Sequence, residues 1–263
     1  MNTLRNFALL PLLILTSCSS LVPVADDPED GANSPQDRPG VPATPETVPS
    51  FNKDQFSNPS DITNPRFPLP PGRTLRYRSE DGSEEILIEI LSETREVAGL
   101  NCRVVRDRVY VDGLVIEDTF DWYAQDDAGN VWYMGEEVSD FTYDDQGALL
   151  SVEHPGAWET LRDIAGIGVL ALPGYIMPAN PTLGLTYHQE YYKGDAEDYA
   201  EIDQVDAVIE LEDGSTYTVI RSHDLSTLDA TIDSFKYYAA GIGVVLEEGQ
   251  DGERVELVEV IEP

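Results

Sequence analysis

The chain has 263 residues, of which 50 are acidic and 16 are basic, and its formal charge at pH 7 is −34. This charge repels polyanions and argues against nucleic acid as a partner, because nucleic acid binding depends on clustered lysine and arginine. Three histidines stand in no recognisable catalytic or zinc-binding spacing. The composition therefore gives little support to an enzyme.

The first 17 residues have the three-part plan of a secretion signal. A basic residue precedes an apolar run over 7–15, which is too short for a membrane-spanning helix. The tetrapeptide Leu-Thr-Ser-Cys at 15–18 resembles the lipobox of bacterial lipoproteins, whose cysteine is acylated and becomes the mature N-terminus. An ordinary signal peptide with a chance cysteine is the alternative.

The lipobox resemblance implies that 1–17 is a signal peptide and that Cys18 carries lipid, palmitate included. The lipid on Cys18 would then anchor the protein to a membrane of the bacterial cell envelope. In lipoproteins the residue after the cysteine influences sorting, and Ser19 favours the outer membrane if the source has one, facing the periplasm or the surface. The mature chain would keep 15 basic and 50 acidic side chains, a formal charge of −35.

Residues 18–65 comprise Cys18 and a stretch rich in proline and acids, which we expect to be a disordered tether. Eight prolines fall between residues 23 and 59, among few large apolar side chains. Such a stretch buries too little surface to offset its ordering entropy, and proline keeps it semi-extended. A ligand for a proline-binding module is the alternative.

Residues 66–263 predict a mainly β domain of antiparallel meander sheets, arranged as a curved sheet, a half-barrel or a barrel-like sheet. Most connections are too short for parallel crossovers, and the domain forms one core or two halves that meet near 155–183. Turn dipeptides such as Asp112-Gly113 separate apolar runs and indicate hairpins. The predicted strands cover residues 74–79, 84–96, 102–111, 114–125, 130–137, 148–153, 184–193, 198–211, 215–223, 232–240, 242–248 and 254–261.

Apolar alternation over 114–125 predicts a half-buried strand with period two. One parity is mostly apolar and includes Phe120 and Trp122, while the other carries Glu117, Thr119 and Asp121. We expect the apolar parity to be the buried one.

The segment 157–172 is the exception to the β pattern. Residues 157–164 suit two helical turns, and an apolar run continues to residue 172 before a proline- and glycine-containing stretch breaks any regular element. We therefore expect a short helical or irregular apolar segment here. It either covers the core or forms a lid over a hydrophobic ligand site.

Three longer motifs resemble an uncharacterised family of secreted bacterial β proteins. They are FDWYAQDDAGNVWY at 120–133, IMPANP at 176–181 and YYKGDAED at 191–198. The resemblance covers most of residues 70–262. It implies a β fold and carries no activity with it.

Aromatic side chains are the candidate ligand contacts. A curved sheet can present them to an apolar molecule, a glycan or an envelope protein, although core packing competes for the same side chains. The candidates are Trp122, Trp132, Tyr133, Tyr191 and Tyr192.

A cation site is the candidate metal centre, formed by Asp126, Asp127, Asn130 and Glu137 around one turn. Hard cations such as Ca²⁺ need several oxygen ligands. Asp126 and Glu137 stand at the first and twelfth positions of a loop of EF-hand length, but the third and sixth positions hold neither a ligand nor glycine. We expect an ordinary turn and no cofactor, with Ca²⁺ as the alternative.

The sequence as a whole favours a membrane-anchored envelope lipoprotein that acts as a binding or scaffold module for an unknown ligand, without catalysis. The alternatives are an envelope hydrolase, for which no nucleophile motif is present, and a calcium-dependent binding protein. Once Cys18 is lipidated, Cys102 has no disulfide partner, and we expect it to be buried and inert.

Overall fold

The computed structural model describes residues 41–263. The signal, the lipobox with Cys18 and the first part of the expected tether lie outside the described residues. No helix in the described part of the chain is long and apolar enough to cross a bilayer.

Fifteen strands and one short 3₁₀ helix at Lys53–Gln55 make up the regular structure of residues 41–263, which contain no α-helix. The first strands match the predicted ones within a few residues, so the mainly β prediction is confirmed. The strands are β1 (Thr74–Ser79), β2 (Glu84–Val97), β3 (Leu100–Val111), β4 (Leu114–Gln125), β5 (Val131–Tyr143), β6 (Leu149–Glu153), β7 (Trp158–Glu159), β8 (Leu172–Met177), β9 (Thr186–His188), β10 (Glu190–Tyr191), β11 (Asp198–Glu210), β12 (Thr216–Ser226), β13 (Asp233–Ala239), β14 (Gly243–Gly249) and β15 (Arg254–Ile261).

All strand pairs in this sheet are antiparallel, and the sheet is barrel-like and nearly closed. The strand order is β10-β8-β5-β4-β3-β2-β1-β15-β14-β13-β12-β11-β9, with β6 and β7 paired to β5. Most neighbours are consecutive in sequence, as expected for a meander with short turns. Strands that precede residues 155–183 and strands that follow them belong to one continuous sheet. Two halves that meet at this segment would therefore not be separate sheets.

The predicted hairpin at Asp112-Gly113 is confirmed. Asp112 has a φ of 51° and Gly113 a φ of 81°, the left-handed values that a two-residue turn between twisted strands requires. This turn joins β3 directly to β4, which pair along their length.

Gly174 lets the two ends of the sheet approach one another. A Cβ at this position would lie 2.2 Å from the backbone oxygen of His188 and 2.6 Å from that of Gln189. His188 belongs to β9 and Gly174 to β8, so only a glycine allows the near closure.

The inner face of the sheet carries the main core, which draws side chains from every long strand except β6. A second, smaller core lies on the outer face of β3, β4 and β5. We call it the outer aromatic cluster and define it by Phe51, Phe56, Trp122, Trp132 and Tyr175. Both faces of this part of the sheet are therefore buried.

The segment 51–65 packs on the sheet and is not part of a free tether. Phe51 and Phe56 lie 5.9 Å and 5.8 Å from the Trp132 ring, between ring centroids. Ile62 is buried in the main core. The expected tether boundary near residue 65 is thus placed too late, because scattered aromatic side chains anchor a stretch whose composition is otherwise that of a spacer.

The expected helical turns over 157–164 do not form. Trp158–Glu159 instead pairs with β5, and the chain then leaves the sheet in an irregular loop that closes where Leu161 N donates to Ala171 O. Ile164, Ile167 and Leu170 in this loop are exposed. The irregular alternative is thus the correct one, and Trp158 belongs to the core because its ring packs on Tyr133.

Candidate functional site

The five predicted aromatic contacts do not form one exposed face. Trp122 and Trp132 are buried in the outer aromatic cluster, whereas Tyr133 faces the interior. Tyr192 is buried and donates a hydrogen bond to Asp163. Tyr191 is half-buried against the His188 ring.

The four predicted calcium ligands do not converge either. Asp126 is buried, and its carboxylate accepts four hydrogen bonds, from Ala128 N, Asn130 N, Asn130 Nδ2 and Trp132 Nε1, at 2.8–3.0 Å. Asp127 binds Ser57, and the exposed Glu137 lies near Arg95. Within residues 41–263 no group of three or more His, Cys, Asp or Glu side chains is placed to hold a metal ion. We call the turn at residues 126–130, which is held by the Asp126 carboxylate, the Asp126 turn.

The three histidines lie within hydrogen-bond distance of other groups of the fold, and Cys102 is buried. His154 lies 2.7 Å from Val138 O, His188 Nε2 lies 3.1 Å from Pro45 O, and His223 Nε2 lies 2.8 Å from a carboxylate oxygen of Asp233. Burial raises the pKa of the Cys102 thiol to about 12. A thiol with such a pKa is protonated at neutral pH and is a poor nucleophile.

The most unusual feature is a set of carboxyl side chains on the inner face of the sheet. Strand alternation places Asp107 between Val105 and Val109 of the main core, and Asp121 pairs with Glu136 across β4 and β5. Lys236 is the one lysine or arginine fully buried beside them within residues 41–263. We call this set the acidic interior; its carboxyls are Glu84, Asp107, Glu117, Asp121, Glu136, Asp140, Glu190, Asp198, Asp224 and Glu247.

The polar parity of β4, and not its apolar parity, therefore faces the interior. Thr119, Asp121 and Tyr123 point inward, while Trp122 lies in the outer aromatic cluster. The apolar parity is also buried, as expected, because the segment 51–65 covers the outer face there. The alternation itself was the available signal, but it could not say which face was the interior.

Tyr133 joins two carboxyls of the acidic interior. Its hydroxyl oxygen lies 2.7 Å from Asp121 Oδ1 and 2.9 Å from Glu136 Oε2. A phenol has one proton to donate, so both short contacts are satisfied only if one of the carboxyls is itself protonated. Burial raises the pKa of Asp121 to about 7 and, together with the charge of Asp121, holds the pKa of Glu136 well above its usual range.

Lys236 is engaged by a single carboxylate. Its Nζ lies 3.0 Å from Asp224 Oδ2, which also accepts from Gln189 Nε2 at 3.1 Å. Ser222 Oγ donates to the other oxygen of Asp224. Both oxygens of Asp224 are thus hydrogen-bonded. Among the carboxylates of the acidic interior, Lys236 forms an ion pair with Asp224 alone.

Several other carboxyl oxygens of the acidic interior are buried without a hydrogen-bond donor. Both oxygens of Asp107 and Oε2 of Glu247 are in this state. Burial and the nearby carboxyls hold the pKa of Asp107 well above its usual range, and burial raises that of Glu247 to about 7. Buried polar atoms normally have partners, so these oxygens require an explanation.

A cavity of about 430 Å³ opens the acidic interior to solvent. It lies between the β1–β2 turn and the β14–β15 turn, whose strands are neighbours in the sheet. Glu84 and Glu247 line its inner part, and burial raises the pKa of Glu84 to about 7. The remaining lining side chains and backbone come from Ser79, Glu80, Asp81, Ser83, Gly249, Glu253, Arg254 and Val255.

In comparisons with known proteins, no family model, curated protein or solved structure matches this chain. The resemblance to a family of secreted β proteins therefore stays a prediction from the sequence, as does the lipobox.

Proposed function

We propose that this chain is a lipid-anchored binding protein of the bacterial cell envelope, which holds a small polar ligand in its acidic interior and performs no catalysis. The observation that carries the proposal is a pair of buried carboxyl oxygens, Glu84 Oε1 and Glu247 Oε2, which have no hydrogen-bond donor and belong to side chains that line a solvent-open cavity.

Unpaired buried polar groups are costly. A buried donor or acceptor without a partner destabilises a fold by about 1–3 kcal/mol, and more when it is charged. Glu84 and Glu247, which line the cavity, have one such oxygen each. A ligand that brings hydrogen-bond donors would remove this penalty, and the free energy so gained would strengthen its binding.

The cavity has a suitable size for a small ligand. Small-molecule sites have volumes of roughly 300–1,000 Å³ and are usually concave with a few convergent polar groups. The cavity of about 430 Å³ falls in this range, and Glu84 and Glu247 converge at its inner part. An exposed aromatic surface for an apolar molecule, a glycan or an envelope protein has less support, since most candidate aromatic side chains are buried.

Anchoring is the second half of the proposal. Acylated Cys18 would hold the domain at the membrane, with the stretch before residue 42 as spacer. Pro42 and Pro45 already contact the sheet, since Tyr199 OH donates to Pro42 O and His188 Nε2 lies 3.1 Å from Pro45 O. The outer membrane remains the favoured site if the source has one. The high negative charge repels anionic lipid headgroups, so the acyl chains would be the main membrane contact.

A matched pair of variants tests ligand binding in the cavity. Ser83 lines the cavity in an Asp-Gly-Ser turn, and Ser215 occupies the same position of an Asp-Gly-Ser turn that does not line it. The full chain is purified from its own membranes in mild detergent and examined by native mass spectrometry. We expect a bound small molecule in the wild type and in Ser215→Trp, but not in Ser83→Trp, where the indole fills the cavity.

Two results would contradict the proposal. One is a wild-type protein that carries no small molecule under any gentle purification. The other is a molecule that Ser83→Trp retains as fully as Ser215→Trp does, because the ligand would then lie elsewhere.

A further inference from the structure

We infer that the ligand of this cavity is an aliphatic amine with two or more ammonium groups, held by Glu84 and Glu247. This inference depends on the proposed function, since it names the chemical class of the ligand for the same cavity. It is supported by the charge of the lining, by the unpaired oxygens and by the placement of the carboxyls on different strands and turns.

The lining of the cavity is strongly negative. Five carboxyl side chains line it, and Arg254 is its one lysine or arginine. Arg254 is already paired, because its Nη2 lies 2.7 Å from Glu256 Oε1. Of the five acids, Asp81 is occupied by hydrogen bonds from Ser79 and Ser83. Four carboxyls therefore remain to attract a cation, namely Glu80, Glu84, Glu247 and Glu253.

Glu247 supplies the independent sign of a ligand. Its side chain is fully buried, yet it lines the cavity, and its Oε2 has no hydrogen-bond partner. Lys236 is the nearest buried cation, but Lys236 forms its ion pair with Asp224. The charge of Lys236 acts on Glu247 from nearby but brings no hydrogen bond to Oε2, and an ammonium group in the cavity would give this oxygen an N–H donor with a positive charge of its own.

The arrangement suits an amine better than a metal ion. Metal ions such as Ca²⁺ need several oxygens around one point. Among residues 41–263 no three acidic or other ligating side chains gather in this way. Glu84 comes from β2 and Glu247 from β14, while Glu80 and Glu253 belong to the two turns at the rim. A flexible chain with separated ammonium groups can reach the inner and the rim carboxyls together.

Isothermal titration calorimetry with spermidine tests the inference on the full chain in detergent. We expect wild type to bind, with an affinity that falls as salt is added. Glu247→Gln and Glu84→Gln keep side-chain size and remove one charge each, and each should raise the Kd at least tenfold. The matched control is Glu93→Gln, an exposed position outside the cavity, which should leave the Kd within twofold.

Other probes separate the possible outcomes. Octane-1,8-diol, a neutral chain of similar length, should not bind. If Ca²⁺ or Mg²⁺ binds instead and loses affinity in Glu247→Gln, the ligand is a metal ion and the amine inference is wrong. Equal spermidine affinity in wild type and both cavity variants would also overturn it. Melting temperatures of all variants are compared first, so that loss of binding is not loss of folding.

The inference and the proposed function can fail separately. If spermidine does not bind but native mass spectrometry finds another molecule that Ser83→Trp excludes, the binding function stands and the amine class is wrong. If neither spermidine nor any purified molecule occupies the cavity, both fail.

Discussion

The Asp126 turn and the acidic interior are both rich in acids, yet they differ in the hydrogen-bond donors that they supply to a buried carboxyl. At the turn, four N–H donors surround Asp126 and satisfy both oxygens. In the interior, Asp107 has no donor at either oxygen and faces other carboxyls. The turn is complete within the protein, whereas the ten carboxyls of the interior share one buried lysine and have too few donors.

The difference shows that the number of acids in a region says little about its role. What matters is whether the fold supplies donors. Backbone N–H groups at the Asp126 turn point at its carboxylate because a tight turn leaves them without strand partners. The inner face of a sheet offers no free N–H groups, since the strand ladders use them. A carboxyl there depends on protons, a cation or another side chain.

The largest expected effect is on the turn. Asp126→Ala leaves the buried Trp132 Nε1 and several turn N–H groups without an acceptor, and we expect it to lower the free energy of unfolding by about 3 kcal/mol. Urea denaturation measures the change. Asp127→Ala, the next residue, is the control and should cost about 1 kcal/mol or less, because its bonds to Ser57 are exposed. A loss below about 1 kcal/mol in Asp126→Ala would mean that the turn is not held by this carboxylate.

A smaller effect of opposite sign is expected in the interior. Asp107→Asn keeps the shape, removes a charge that other carboxyls repel and adds N–H donors, so we expect stabilisation of about 1 kcal/mol at pH 8. Thermal unfolding of the ligand-free chain measures it, with Asp126→Asn as the matched substitution at a satisfied site. If Asp107→Asn and Asp126→Asn are equally destabilising, the comparison between the two regions fails.

The smallest expected effect is that of calcium. Because Asp126 is already fully hydrogen-bonded and Glu137 is turned toward Arg95, millimolar Ca²⁺ should shift the melting temperature no more than NaCl of equal ionic strength does. Saturation a hundredfold above a Kd would add about 2.7 kcal/mol, which is several degrees. A calcium-specific shift of that size, lost in Asp126→Ala, would show that these residues form a real site.

Most of the fold was predictable from the sequence because its signals are local. Alternation and turn dipeptides such as Asp112-Gly113 give most strands nearly their observed bounds. Two strands were missed, namely β7, where helical turns were expected, and β8, whose Pro173 and Gly174 look like breakers. Gly174 is needed there because β8 meets β9 at a distance that no Cβ allows, and a contact so distant in sequence leaves no local pattern.

The candidate site was less predictable because it depends on which face of the sheet is enclosed. The acids of β4 alternate with Phe120 and Trp122, and either parity could have been the interior. The choice follows from the segment 51–65, whose proline-rich composition resembles a free tether although Phe56 packs on Trp132. Three other strands supply Lys236, Glu247 and Asp107, and no short motif links them.

The pH dependence of the free energy of unfolding tests most directly whether the protein supplies too few cations and hydrogen-bond donors to its interior carboxyls. Burial raises the pKa of Asp121 and Glu247 to about 7 and that of Glu117 to about 8, whereas all three titrate near 4 in an unfolded chain. Between about pH 4 and 8 the folded chain therefore binds more protons than the unfolded chain, so stability should fall as pH rises.

The measurement is urea unfolding of the ligand-free full chain at constant ionic strength from pH 5 to pH 8. The carboxyls with lowered pKa values, such as Asp81 and Glu85, act at lower pH. Burial lowers the pKa of His188, which opposes the trend within this range, but it is one group against three raised carboxyls. The account predicts that the free energy of unfolding decreases by about 2 kcal/mol or more over this range. A free energy that stays level or increases toward pH 8 would show that the interior carboxyls are compensated by the protein itself, and would contradict the account.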